Sequence, residues 1–252
     1  MLREISPCAV CNRKHCGLLD LSRGLRQEPE IRIRTEAFCP DAKIPVTGGC
    51  LLTVKSGAVK MMCHGPRGPA MVIDFLLPGD MIGLETLTDA EDTGVDYRAT
   101  ASAATICRVG IDAAVDKQAS SQFCHRLSAE LAMRIRANFH HRQIVTDSAW
   151  VRMAHYLLQL TQAGRGQGGS QGVVLPNIAR ADIASYLHLR AETVSRVLSS
   201  FRQNGWVQGP LHRLEVIDVN ALAALTQRPD TTKRSGSTGE RAHHPNLKGE
   251  HG

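Results

Sequence analysis

The fold of this 252-residue chain is decided at residues 180–202, which read RADIASYLHLRAETVSRVLSSFR. Two helical patterns, 180–187 and 191–203, flank the short turn His188-Leu189-Arg190. Ala184 supplies the small side chain that two closely crossing helices need, so the pattern predicts a helix-turn-helix. Many such motifs have glycine where His188 stands, because φ there can be positive. The side chains predicted to face the core are Ile183, Leu187, Val194, Val197 and Leu198.

The exposed face of the second helix carries side chains that can read DNA bases, namely Glu192, Ser195, Arg196 and Ser199. Arginine can pair with guanine, glutamate can accept from cytosine, and serine can pair with several bases. Arg180, Arg190 and Arg202 are candidates for phosphate contacts, which position a protein on DNA without specifying sequence. The alternative interpretation is an ordinary solvated helix face.

The flanking residues predict a complete DNA-binding unit over 146–228. A helical pattern over 149–161 precedes the glycine-rich stretch 164–172, which we expect to be a loop or hairpin tip. A short strand is predicted at 214–217.

A long amphipathic helix is predicted upstream, at 112–145. Its apolar residues recur every four positions at Phe123, Leu127, Leu131 and Ile135, and Phe139 extends the row. The narrow stripe favours a dimer seam, and packing against its own domain is the alternative.

Residues 25–115 read as mostly β-structure, broken by glycine and proline. A hairpin is predicted around Ser56-Gly57, and a strand over 71–77 ends at Pro78-Gly79-Asp80. Short strands of this kind predict a small sandwich or barrel. Asp74, Asp80 and Glu85 read as solvated acids near turns.

Eight cysteines occur in the chain, and Cys8, Cys11 and Cys16 fall within nine residues. No export signal is visible, so a disulfide framework is not expected. Three close thiolates suit an iron–sulfur cluster, or zinc with His15 nearby, or an unligated redox-reactive leader. The five scattered cysteines are of a kind that is usually a small buried hydrophobe: Cys39, Cys50, Cys63, Cys107 and Cys124.

Composition excludes several classes of protein. Hydrophobic residues make up 42% and charged residues 21%, which are ordinary globular values. No segment has the length and apolarity of a transmembrane helix or a signal peptide, so we expect a cytoplasmic protein. The net charge of +6 permits a polyanionic partner. No Walker A, GxGxxG, HExxH or GxSxG motif is present, so no enzyme is expected.

Four passages resemble the Crp/Fnr family of dimeric bacterial transcription regulators, and its oxygen-sensing Fnr branch above all. The resemblance spans roughly residues 5–226. Its passages are the leader Cys8-Ala9-Val10-Cys11 with Cys16, the signature at residues 54–60, the run at residues 75–83, and the helix Glu192-Thr193-Val194-Ser195-Arg196.

The resemblance implies an α+β fold with five segments. A Cys-rich leader at 1–20 precedes an N-terminal double-stranded β-helix, or jelly-roll, sensor domain at 21–115. A long dimerisation helix at 116–145 leads to a C-terminal winged helix-turn-helix domain at 146–228. We expect a disordered tail at 229–252, where His243, His244 and His251 are solvated.

The resemblance also implies a cofactor and partners. Residues 103–109 match the family's passage with the fourth ligand, so the implied 4Fe-4S cluster is held by Cys8, Cys11, Cys16 and Cys107. The other cysteines have no such match, and we assign them to packing: Cys39, Cys50, Cys63 and Cys124. Under low oxygen the homodimer would bind a TTGAT-type inverted repeat, read by Glu192, Ser195 and Arg196. RNA polymerase is an expected partner, and a membrane is not.

The chain departs from the family in three places. Only four residues separate Cys11 from Cys16, one fewer than is common, and His188 replaces the usual turn glycine. The family's cyclic-nucleotide branch has a phosphate cassette with a Gly-Glu pair and a later Arg-Ser/Thr pair. That cassette is broken here, because Glu85 comes one place late after Gly83 and Tyr97 replaces the cassette arginine. We therefore expect no cyclic nucleotide. Sensing of nitric oxide, thiol oxidation or zinc, an iron–sulfur enzyme, and a purely structural β-domain dimer are the alternatives.

Overall fold

The computed structural model describes residue 16 and residues 33–47, 49–65, 68–87, 94–110, 121–164 and 173–227. The leader cysteines Cys8 and Cys11, the glycine-rich residues 165–172 and the tail 229–252 lie outside the described residues.

The N-terminal domain is a sandwich of two antiparallel sheets. Its described residues form seven strands: β1 (Ile33–Phe38), β2 (Cys50–Ser56), β3 (Val59–Cys63), β4 (Met71–Leu76), β5 (Met81–Ile82), β6 (Val95–Ala99) and β7 (Ala104–Gly110). The larger sheet has the order β1-β7-β2-β5, and the smaller has the order β4-β3-β6. The prediction of a sandwich or barrel from short interrupted strands is confirmed.

The hairpin predicted around Ser56-Gly57 is wrong, although its two strands exist. β2 pairs with β5 and β7, whereas β3 pairs with β4 and β6, so the chain changes sheets at the turn. Gly57 has φ +78°, and a Cβ there would lie 2.3 Å from the carbonyl oxygen of Ala103. Alternating apolar residues around a tight turn look alike whether the strands pair or face each other across a sandwich.

The C-terminal half is helical, with a small sheet. Its elements are α1 (Ser121–Ile144), α2 (Ala149–Gly164), β8 (Val173–Val174), α3 (Arg180–Tyr186), α4 (Ala191–Gln203), β9 (Val207–Gln208), β10 (Glu215–Val216) and α5 (Val219–Thr226). The three strands pair in the order β8-β10-β9 beside α4. The predicted helices at 149–161, 180–187 and 191–203 and the strand at 214–217 are confirmed to within a few residues. The long helix begins at Ser121, and residues 111–120 lie outside the described part.

One apolar core joins the sandwich to the helical half. Ala58, Val72, Phe75 and Leu77 belong to the same buried cluster as α2, α3 and α4. The ring of Phe75 lies 5.3 Å from Tyr186 and 5.9 Å from Tyr156, measured between centroids. This shared core fixes the helix-turn-helix against the sensor domain of its own chain.

Among the described residues, none of the helices has the length and apolarity needed to cross a lipid bilayer.

Candidate DNA interface and candidate cluster site

The helix-turn-helix forms as predicted from the inward side chains. Ile183, Leu187, Val194, Val197 and Leu198 are all buried, and Ala184 is 5% exposed where α3 and α4 meet. His188 has φ +52°, in the left-handed region that favours glycine. The turn is closed by a hydrogen bond from the Leu189 amide to the Ala184 carbonyl, at 2.9 Å.

The four predicted base-reading residues share one face of α4. Glu192, Arg196 and Ser199 are exposed. Ser195 is half-buried, and its hydroxyl donates to the carbonyl of Ala191 at 2.9 Å. A helix whose opposite face is buried and whose outer face carries these side chains is suited to the major groove.

The three arginines predicted to contact phosphates differ in their exposure to solvent. Arg180 and Arg190 are exposed near the starts of α3 and α4. Arg202 is half-buried, and its Nε donates to the carbonyl of Gly209 at 3.0 Å. Gly209 has φ +82° in the turn after β9, so Arg202 ties α4 to the small sheet.

The candidate cluster site is an apolar region of the larger sheet. Cys107 lies on β7, opposite Thr35 of β1 and Thr53 of β2, and is 8% exposed. Its buried neighbours in the cluster are Leu51, Met81, Leu84 and Val109. Cys16, Ile33 and Leu127 pack against this same cluster.

The residues present fit an iron–sulfur cluster in chemistry. Cys16 from the leader and Cys107 from the late β-strand are distant in sequence, yet they meet at one apolar cluster. Thiolate sulfur is the ligand that iron–sulfur clusters use, and an apolar shell limits the access of water. The described residues contain no group of three His, Cys, Asp or Glu side chains able to hold a metal ion. Cys8 and Cys11, the two remaining predicted ligands, lie outside them.

The assignment of four cysteines to packing is wrong for two of them. Cys39 and Cys124 are exposed, whereas Cys50 and Cys63 are half-buried. Cys39 directly follows β1, and Cys124 lies on an outer face of α1. Spacing in the sequence does not distinguish a buried thiol from an exposed one.

The helix α1 connects to the cluster site through one face. Leu127 packs against the apolar cluster of Cys107. Two turns later, the guanidinium of Arg134 donates to the carbonyl of Met81, which belongs to that cluster. Residues seven apart lie on one face of a helix, so this face is fixed to the sensor domain.

The interpretation of Asp74 and Asp80 as solvated acids is wrong. Burial raises the pKa of Asp74 to about 6, against the opposing influence of the Phe75 amide and of Arg134. Burial also raises the pKa of Asp80, whose carboxylate accepts from the Leu77 amide at 2.7 Å. The positive charge of Arg134 on α1 acts on both acids, Asp74 in β4 and Asp80 in the turn before β5.

The residues predicted to form the dimer seam lie in two different environments. Leu131 is 38% exposed, Ile135 55% and Phe139 61%, whereas Leu127 packs on its own domain. The side chain of Phe123 lies outside the described ones. The exposed apolar row therefore runs along the later turns of α1.

The two residues that depart from the cyclic-nucleotide cassette, Tyr97 and Glu85, form a hydrogen bond with each other. The hydroxyl of Tyr97 donates to Glu85 Oε2 at 2.7 Å, and Tyr97 is 2% exposed. Burial and the charge of Glu85 raise the pKa of Tyr97 well above its ordinary value. Gly83 beside them has φ +78°, and a Cβ there would lie 2.3 Å from Val46. The interpretation of Glu85 as a solvated turn acid is therefore also wrong.

Known proteins resemble the chain in sequence and in fold. The family described as Crp-like helix-turn-helix domain matches residues 151–225. The transcriptional regulator LdrP of Thermus thermophilus is 30% identical over 175 residues, which cover 68% of this chain and 85% of LdrP. The transcriptional activator protein anr of Pseudomonas aeruginosa is 27% identical over 179 residues, which cover 70% of this chain and 72% of anr.

A solved structure has a similar fold. FixK2 from Bradyrhizobium japonicum superposes with a TM-score of 0.66 at 24% identity, covering 79% of this chain and all of the FixK2 chain.

Proposed function

Because this chain belongs to the Fnr branch of the Crp/Fnr family of transcription regulators, and is not an enzyme, we propose that it senses oxygen through a 4Fe-4S cluster. The ligands are Cys8, Cys11, Cys16 and Cys107. It binds DNA as a homodimer under low oxygen, at an inverted repeat of TTGAT-type half-sites. RNA polymerase is the partner it engages there, and the cytoplasm is its compartment.

The observation that carries this proposal is the packing of Cys16 against the apolar cluster that contains Cys107. A leader thiol and a thiol on an interior strand of the larger sheet thereby pack into the same apolar cluster. When bound, the cluster supplies an oxygen-labile link among four thiolates. Ligation stabilises an ordered leader, because metal-binding free energy contributes to folding.

The path from this site to DNA uses residues of α1. Leu127 packs on the cluster of Cys107, and Arg134 binds the carbonyl of Met81. A change in how Cys16 packs on this cluster therefore alters the support of α1. The exposed row Leu131, Ile135 and Phe139 on the same helix is the dimer seam. Dimerisation sets two copies of α4 about 34 Å apart, one turn of DNA.

Two further observations support parts of the proposal. Tyr97 and Glu85 satisfy each other inside the sandwich, which supports the absence of a bound cyclic nucleotide. Glu192, Ser195 and Arg196 lie on the outer face of α4, which supports their role in reading the half-site.

The test is anaerobic purification, with iron and sulfide counts, an absorbance spectrum, and an electrophoretic shift on a TTGAT palindrome before and after air. We expect about four irons per chain. Colour and DNA binding should disappear together in air. A colourless protein that binds the palindrome equally in both conditions would contradict oxygen sensing. It would favour zinc binding or thiol redox chemistry at the leader cysteines.

The ligand assignment has its own matched variants. Cys107→Ser should lose iron as completely as Cys11→Ser does. Cys50→Ser changes a half-buried cysteine of the adjacent strand β2 and should keep its iron. Full iron and sulfide in Cys107→Ser would rule out the fourth ligand. Anaerobic exposure of the wild-type chain to nitric oxide then shows whether that gas releases DNA as oxygen does.

A further inference from the structure

Arg152 of α2 binds three backbone carbonyls at once. Its Nε donates to the carbonyl of Asp147 at 2.8 Å, and its Nη1 donates to the carbonyls of Leu187 at 3.0 Å and His188 at 3.2 Å. The side chain is half-buried. No local pattern in the sequence marks Arg152, because it is a lone arginine within a helix.

The three carbonyls belong to two segments that are far apart in sequence. Asp147 lies in the short connection between α1 and α2. Leu187 and His188 lie in the turn between α3 and α4, directly before the predicted recognition helix. One planar guanidinium therefore ties the end of the long helix to the turn that sets the direction of α4.

The turn needs such support for two reasons. The carbonyls at the end of a helix have no partner within the helix, and Leu187 is the residue that caps α3. His188 adopts φ +52°, a conformation that is costly for a residue with a Cβ. An arginine can satisfy several carbonyls in a fixed geometry, because its donors are rigid and planar, whereas lysine offers a single mobile ammonium.

We infer that Arg152 is a positioning residue for DNA reading, which fixes the strained helix-turn-helix turn to the end of the long helix. It contacts backbone and not DNA, so it acts through the orientation of α4. The inference rests on the DNA-binding part of the proposed function and on no property of the iron–sulfur site.

The test compares Arg152→Gln and Arg152→Lys with the wild-type full chain, purified anaerobically. The control is Arg142→Gln, which removes an exposed arginine near the end of α1. Binding is measured on a duplex that the wild-type protein itself selects from a random pool, over a range of salt concentrations. We expect Arg152→Gln to weaken this binding about tenfold, Arg152→Lys nearly as much, and the control less than about twofold.

The salt dependence separates positioning from phosphate contact. Loss of a phosphate contact makes the plot of log affinity against log salt concentration less steep, by about one in slope. We expect an unchanged slope for Arg152→Gln. A reduced slope would overturn the inference and make Arg152 a DNA ligand.

A rescue experiment separates positioning from a general role in stability. Glycine adopts positive φ without strain, so His188→Gly should restore at least half of the lost binding in Arg152→Gln, on a logarithmic scale. Amide hydrogen exchange of residues 187–191, measured without DNA, should rise in Arg152→Gln and fall again in the double variant. Unchanged exchange and binding in Arg152→Gln, or no recovery with His188→Gly, would overturn the inference.

Failure of the proposed function gives a different signature. If the selected duplex lacks TTGAT half-sites, the proposed operator is wrong, and if air leaves binding unchanged, oxygen sensing is wrong. The comparison of the Arg152 variants stands in either case.

Discussion

Two arginines of α4 differ in whether the side chain is free to contact DNA bases or is bonded within the protein. Arg196 is exposed on the outer face, whereas Arg202 is half-buried and bonded to the carbonyl of Gly209. The exposed guanidinium of Arg196 can reach a base edge. The guanidinium of Arg202 stabilises the contact between α4 and the turn at Gly209.

We predict that Arg196→Ala weakens binding to the selected operator by about 1–3 kcal/mol and relaxes one base position. The reason is the loss of a two-bond contact with guanine. Arg180→Ala is the matched variant, since an exposed phosphate contact should weaken all duplexes alike. Affinity measured on single-base variants of the operator checks both. Unchanged selectivity in Arg196→Ala would contradict its role.

The raised pKa of Asp74 gives a second prediction for a single residue. A carboxyl whose folded pKa is about 6 holds its proton more tightly when folded than when unfolded. Stability should therefore fall as pH rises from about 4 to about 6. Asp74→Asn keeps an acceptor for the Phe75 amide and should stabilise the protein at pH 7 by between roughly 1 and 3 kcal/mol, and little at pH 4.

Urea unfolding between pH 4 and pH 7.5 measures this effect. Asp96→Asn is the control with the opposite sign, because hydrogen bonds from Lys43 and His64 lower the pKa of Asp96. A larger benefit of Asp74→Asn at low pH than at neutral pH would contradict the assignment.

At the scale of elements, the apolar row of α1 lies in two different environments. Leu127 and Arg134 face the sensor domain, whereas Leu131, Ile135 and Phe139 are exposed. The four-residue period in the sequence predicted the helix, but it did not predict that Leu127 packs on its own domain. The reason is that a stripe marks apolar side chains and not the surface that covers them.

We predict that Ile135→Glu raises the dissociation constant of the dimer roughly 10- to 100-fold, because a carboxylate replaces an aliphatic side chain that a second copy would cover. Ala137→Glu places the same charge on a different face of α1 and should have little effect. Sedimentation velocity over a range of concentrations provides the measurement. Equal effects of the two variants would contradict the seam.

The sequence predicted elements better than their pairing. The helix-turn-helix at 180–202 was predictable almost to the residue, because its buried side chains, turn and exposed face agree. The strands on either side of Gly57 were predictable, but their separation into two sheets was not, since it follows from pairing with strands that are distant in the sequence. Likewise, the tie between Arg152 and the carbonyls of Leu187 and His188 arises only in the folded chain.

On the scale of the whole molecule, an ion pair between the largely buried side chains of Lys60 and Asp182 joins the helix-turn-helix domain to the sensor domain. Lys60 of β3 lies 3.0 Å from Asp182 of α3 and 2.8 Å from Asp41. Burial alone would lower the pKa of Lys60, but its hydrogen bonds to both acids raise it above the ordinary value. The Val72 amide also donates to the hydroxyl of Ser185 at 3.0 Å.

We predict that Lys60→Met destabilises the chain by about 2–4 kcal/mol, because Asp182 is left largely buried without its cation. In the double variant with Asp182→Asn, the loss should be smaller than the sum of the two single losses. Lys43→Met is the control: its ammonium lies 2.6 Å from Asp96, but the side chain is 59% exposed, so it should cost less than about 1 kcal/mol. Urea unfolding measures all four, and strict additivity would contradict the coupling.

The shared apolar core also bears on how such a protein can be recombined during evolution. Ala58, Val72, Phe75 and Leu77 of the sandwich are buried together with side chains of α2, α3 and α4. A crossover between genes near residue 145 would separate these partners and leave Tyr156 and Tyr186 beside an unmatched surface. The two halves are therefore expected to be inherited together. A chimera would need a sensor domain that also carries Ala58, Val72, Phe75 and Leu77.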